Sequence, residues 1–159
     1  IFIFIMFAFG ILLATFSPNE TKTTKPLEVL ISRKALNRAR KDSFIRDNLD
    51  TYGREIEKIE SMIEENPSQV VQRAKTIGEF TISPTTYSGH KGPRVAWKYD
   101  PRTNTLKIHD VLYHTNKGYV DDWDQKAKRG EIILRDYEKD GFVKYKSPKE
   151  LRKIGKLRR

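Results

Sequence analysis

The chain contains no cysteine, which excludes a disulfide framework, a thiolate-bound zinc and a cysteine nucleophile. Residues 1–16, IFIFIMFAFGILLATF, carry no charge, and all 31 Lys and Arg and all 21 Asp and Glu lie from Glu20 onward. No glycine-rich stretch has phosphate-loop spacing. Ser88-Gly89-His90-Lys91-Gly92-Pro93 reads as a basic turn and not as a strand-to-helix loop. The chain has three histidines, none in the HExxH spacing of a zinc protease. The sequence offers neither a cofactor motif nor a metal-ligand set.

What is present is positive charge, a formal +10 over 159 residues. That length suits one domain, and that balance makes anionic partners the first expectation. Residues 1–16 would span about 24 Å as a helix, the size of a signal-peptide core and slightly short of a bilayer. They are read as a membrane or signal-like segment, with a buried helix or strand as the alternative. If they act as a signal or anchor, the protein is secreted or membrane-associated. Residues 17–26, SPNETKTTKP, read as a linker. The basic domain then covers 27–146 and a basic tail covers 147–159.

Hydrophobic periodicity divides the domain. Leu27 to Ile31 fits a short strand or a first helical turn, and Ser32 is a candidate N-cap. Helices are expected at 32–47, 54–65 and 67–78. Ile56, Ile59 and Ile63 give the second its apolar stripe, and Asn66-Pro67 opens the third. The period then shortens to two. Residues 94–99, RVAWKY, and 105–113, TLKIHDVLY, flank the turn-rich DPRTN and predict a hairpin. A second hairpin is expected from 131–137, EIILRDY, with 141–146, GFVKYK. Helices followed by strands predict an α+β fold, with N-terminal helices packed on a mainly antiparallel sheet over residues 94–146. The expected core comprises Ile56, Ile59, Ile63, Val70, Val71, Ala74, Val95, Trp97, Leu106, Ile108, Leu112, Ile133 and Phe142.

Side chains suited to proton transfer near neutral pH concentrate in one window. His90, His109 and His114 lie there with Lys91, Arg94, Asp110, Lys117 and Tyr119. On a regular strand, a separation of five residues puts His109 and His114 on opposite faces, which argues against a shared metal. Metal-free RNA cleavage instead needs an acid or base at the 2′-hydroxyl and leaving oxygen, and cations to hold the phosphate. Arg94, His114 and nearby lysines supply those types.

The segment Arg94-Val95-Ala96-Trp97-Lys98-Tyr99, a turn, then Leu106-Lys107-Ile108 through Val111-Leu112-Tyr113-His114 resembles the RelE/ParE toxin superfamily, in particular its YoeB-like branch. The resemblance spans about residues 94–114, and helices ahead of the sheet fit the family order. It implies that Arg94 stabilises the scissile phosphate and that His114 is the general acid in cleavage of ribosome-bound messenger RNA. Glu79 lies in the interval of the family's catalytic carboxylate. Thr115 stands where the pattern has an aromatic hydroxyl, leaving Tyr113 or Tyr119 to supply it. The implied partners are RNA or the ribosome and an antitoxin or immunity protein.

Residues 142–159 hold eight Lys or Arg against Glu150 alone. Together with His90, Lys91, Lys98 and Lys117, the residues Lys144, Lys146, Arg152 and Lys153 are the expected RNA contacts. Aromatics interleave with these charges, as in surfaces that stack unpaired bases. Two functions are compatible with the sequence: a small, basic, metal-independent ribonuclease of the toxin type, and a non-catalytic membrane-tethered module binding RNA or an assembly partner.

Overall fold

A computed structural model describes residues 25–73, 75–83, 92–147, 149–151 and 153. The apolar segment 1–16, most of the linker, the turn residues His90 and Lys91, and Arg152 lie outside them. So does the core candidate Ala74, and the Val71 side chain is likewise outside.

Residues 28–32, in which the β-branched Val29 and Ile31 are buried, form β1 (Glu28–Ser32). Ser32 then caps α1 (Arg33–Lys41), its hydroxyl accepting from Ala35 N at 2.9 Å. The single helix expected over 32–47 is two. Asp42 leaves the helical region at φ −93°, ψ 119°, ends α1 and accepts from Ile45 N at 3.2 Å to start α2 (Ser43–Asp47). The next helix, α3 (Leu49–Glu65), starts five residues earlier than expected and buries Tyr52, Ile56, Ile59 and Ile63. Asn66 caps α4 (Pro67–Arg73) through its side-chain oxygen and Gln69 N, 3.3 Å.

The expected helix to residue 78 is corrected here. It stops at Arg73, and β2 (Lys75–Ile77) and β3 (Phe80–Ser83) form a hairpin around Gly78 and Glu79. Gly78 takes φ +58°, and a Cβ on it would meet the Ala127 carbonyl oxygen at 2.5 Å. Glycine in the first position of a two-residue turn fits the twist of a hairpin, and β-branched flanks favour strand over helix.

The hairpin expected at 94–113 is present as β4 (Gly92–Asp100) and β5 (Thr105–Thr115), paired from Gly92–His114 to Asp100–Thr105. A short β6 (Gly118–Tyr119) folds back on β5. A one-turn 3-10 segment (Val120–Asp122) leads into α5 (Trp123–Lys128). The strand expected at 131–137 is a second correction, because residues 134–140 form α6 (Leu134–Asp140). Two carboxylates decide this by satisfying the helix's first amides: Asp136 accepts from Ile133 N at 3.2 Å, and Glu79 from Leu134 N at 2.8 Å. β7 (Phe142–Lys144) therefore pairs with β1 and not with residues 131–137.

The sheet runs β2-β3-β4-β5-β1-β7, with β6 continuing the β1 side of β5. Among its described pairings only β1 with β5 is parallel. The fold is α+β with a mixed, mostly antiparallel sheet. Helix α3 packs on one face over Val29, Ile31, Val95, Trp97, Leu106 and Ile108. On the other face Trp123 and Ala127 of α5 and Tyr137 of α6 cover Phe80, Ile82, Ala96 and Leu112. Both faces are thus covered, beyond the N-terminal helices alone. Ile133 and Phe142, expected in the core, are half-buried because Ile133 begins α6 and Phe142 lies on an edge strand. Leu151, at the head of the basic tail, is fully buried against the α3 side.

Candidate functional site

The register of the hairpin breaks once. Ala96 faces Asp110 and the next residue, Trp97, faces Ile108, so His109 is an extra residue in β5. Such a bulge sends two successive side chains to one face. His109 packs on Phe80, Tyr137 and Phe142, and Asp110 reaches Tyr137, all on the α5–α6 side. The expectation that His109 and His114 lie on opposite faces is thereby corrected. The bulge shifts the alternation, and the His114 ring also lies on the α5–α6 side, 4.9 Å from Tyr119.

At the open end of the hairpin Gly92 pairs with His114, and His114 pairs in turn with Tyr119. Arg94 shares their face, two residues from Gly92. Its guanidinium curls back to donate to the carbonyls of Pro93 at 3.0 Å and Gly92 at 3.3 Å, and it bonds the Tyr119 phenol. Any Cβ at Gly92 would stand 3.8 Å from Arg94 Nη1, so the guanidinium sits directly over the residue that faces His114. Burial raises the Tyr119 pKa and Arg94 works against that rise. Tyr119 therefore stays protonated and can donate. Arg94, His114 and Tyr119 form one cluster of fixed cation, imidazole and phenol.

Glu79 does not join it. The β3–β4 register separates Glu79 from Arg94 by five residue steps, about 17 Å, and its carboxylate is occupied at the start of α6. Lys117 is exposed on the turn between β5 and β6, beside His114. Lys98 faces Lys107 across the hairpin, and the row continues through Leu30 to Lys144 on the edge strand. Lys107 is held by Glu138 at 2.7 Å. Lys144 and Lys146 line a cavity of about 590 Å³ with Lys25, and Lys153 is exposed.

Sequence reasoning missed a buried polar network. β5 has β1 along one edge up to Ile108 and β6 from His114, and in the gap side chains replace strand partners. Ser32 Oγ donates to the His109 carbonyl and Tyr52 to that of Leu112. Asp110, 1% exposed, accepts from Arg38 Nε at 2.9 Å, Val111 N at 3.0 Å and the Tyr137 hydroxyl at 2.6 Å. Tyr137 also accepts from Trp123 Nε1 at 3.1 Å. Burial opposes the charge of Arg38, yet Asp110 outweighs it and raises the Arg38 pKa. Burial, then Asp110, raises that of Tyr137. Arg38 also pairs with Asp121 at 2.8 Å, one of two successive residues with positive φ (Asp121 +53°, Asp122 +56°). The one sequence sign was a carboxylate inside the apolar run Ile108 to Tyr113.

Compared with family models, with curated proteins and with solved structures, the chain matches none. Among the described residues no helix is long and apolar enough to cross a membrane.

Proposed function

We propose that this domain cleaves single-stranded RNA, free or ribosome-bound, at the Arg94–His114–Tyr119 cluster without a metal ion. The observation that carries the reading is the convergence of these three side chains at the open end of the hairpin. The resemblance of residues 94–114 to the RelE/ParE superfamily and the net charge of +10 support it.

In the proposed reaction the ribose 2′-oxygen attacks the adjacent phosphorus as its proton leaves to water. The bond from phosphorus to the 5′-oxygen breaks, and imidazolium His114 gives its proton to that oxygen. The products are a 2′,3′-cyclic phosphate and a 5′-hydroxyl. Arg94 stabilises the negative charge that builds on the non-bridging oxygens. Tyr119 donates a hydrogen bond to the same group and keeps the guanidinium turned toward His114. Glu79 has no part in this scheme. A small acidic antitoxin or immunity protein is the partner that the toxin reading implies.

The test is cleavage of a labelled single-stranded RNA in EDTA. Arg94→Ala is expected to lower kcat by about 10²–10³-fold, as for loss of one preorganised electrostatic donor, and His114→Ala by about 10²–10⁴-fold. Tyr119→Phe is expected to have a smaller effect than either. Full activity in the Arg94 and His114 variants, or RNA binding with no cleavage by the wild type, refutes the reading.

A further inference from the structure

Beside the cluster, a cavity of about 620 Å³ opens between α2 and the β5–β6 turn, lined by Phe44, Gly92, Tyr113, His114 and Lys117 among others. Its volume falls in the range of small-ligand sites. Its wall is mostly apolar and its edge is cationic.

Among the described residues Phe44 is one of two large hydrophobic side chains that are exposed, at 38%. Its ring meets that of Tyr113 at 4.5 Å with a tilt of 45°. One carboxylate fixes both rings. Asp42 accepts from Ile45 N through Oδ1, which starts the helix that carries Phe44, and from the Tyr113 hydroxyl through Oδ2 at 2.8 Å. Burial and that hydrogen bond push the Tyr113 pKa up to about 12. The aromatic pair is therefore held in place before any ligand arrives. An aromatic face left uncovered, held rigid and flanked by Lys117 and His114 complements a flat π-system attached to an anion.

We propose that this groove takes the unpaired nucleobase of the nucleotide adjoining the scissile phosphate, stacked on Phe44, while Lys117 meets the next phosphate. The proposal rests on the ribonuclease reading and names its substrate class: single-stranded RNA with an accessible base at that position. Gly92 and His114 both line the groove, and Gly92 places no side chain opposite the imidazole.

The test uses the whole chain and a fluorescein-labelled 2′-O-methyl pentauridylate, which binds but cannot be cleaved, with affinity read by anisotropy. A second oligonucleotide lacks the central base. Stacking on an aromatic side chain predicts that Phe44→Ala weakens binding of the full oligonucleotide about 5- to 100-fold. Phe44→Leu, which keeps apolar packing on Tyr113 but removes the π-face, should weaken it similarly, and Phe44→Trp should preserve it. The abasic oligonucleotide should bind wild type and variants alike. Equal affinities of wild type, Phe44→Ala and Phe44→Leu for the full oligonucleotide overturn the proposal, as does a loss that persists with the abasic one. Because no cleavage is read, base-dependent binding in a protein that cuts no RNA would refute the catalytic reading and leave this subsite standing. Cleavage with base-independent binding would do the reverse.

Discussion

His109 gives the domain a built-in sensitivity to acid. The bulge turns it inward, 1% exposed, with ring centroids of Phe80, Tyr137 and Phe142 at 5.6, 5.6 and 5.3 Å. Burial lowers its pKa to about 4; Glu138 opposes the change, and Lys107 and Lys98 add to it. Unfolded, the same imidazole titrates near its ordinary 6.5. Between those values the unfolded chain binds the extra proton, so stability rises with pH through the window and is lost as pH falls through it. The loss amounts to about 2 kcal/mol at pH 5 and about 3 kcal/mol once pH lies below both values. Replacing His109 with Phe keeps an aromatic ring there and removes the titration. Urea unfolding followed by Trp fluorescence from pH 7 to pH 4, at constant ionic strength, measures both proteins. The difference between their stabilities should shift in favour of His109→Phe by about 2 kcal/mol between pH 7 and pH 5, while carboxylate effects common to both cancel. Parallel pH curves would refute the account of a buried, neutral imidazole.

Two further perturbations test the packing behind the site. Arg38→Ala leaves the Asp110 carboxylate buried without its cation, and should cost roughly 3 kcal/mol, near the lower end for a broken buried pair, because Arg38 keeps 22% side-chain exposure. Adding Asp110→Asn should recover part of that loss, and strict additivity in urea titrations would contradict the coupling. Gly78→Ala sets a Cβ against the Ala127 carbonyl at a positive φ, and should cost more than about 1 kcal/mol, lowering Tm by at least about 3 °C. An unchanged Tm would mean that the β2–β3 turn is free to move away from α5.

Local patterns carried much of the fold and distant contacts carried the rest. The Ile56, Ile59, Ile63 stripe and the alternation on both sides of DPRTN are visible within a dozen residues, and the structure has the helix and the hairpin there. Ile132-Ile133-Leu134 suits strand and helix alike. Two carboxylates cap its helix, the local Asp136 and Glu79, which lies 55 residues from Leu134. The alternation of β5 does not mark the bulge, because Val111-Leu112-Tyr113 is apolar at every position and fits either phase. The two-face argument for His109 and His114 failed for that reason. Arg94 and His114 were legible as types on one hairpin, and their convergence with Tyr119 required the β5–β6 turn at Asn116 and Lys117. Arg38 and Asp110, 72 positions apart, could not be paired by inspection. Asp42, by contrast, sits three residues before Ile45 in a plain capping arrangement, and its second bond to Tyr113 links that local signal to the groove.

In the proposed reaction Arg94 and His114 cleave RNA through its own 2′-hydroxyl. Its most direct test is an oligoribonucleotide cut by the wild type in EDTA, resynthesised with one 2′-deoxy residue immediately 5′ of the cut. The account predicts that cleavage at that bond stops while neighbouring bonds are cut as before, and that the products of the all-ribose substrate carry 2′,3′-cyclic phosphate and 5′-hydroxyl ends. Undiminished cleavage at the deoxy position, or 5′-phosphate ends, would contradict it.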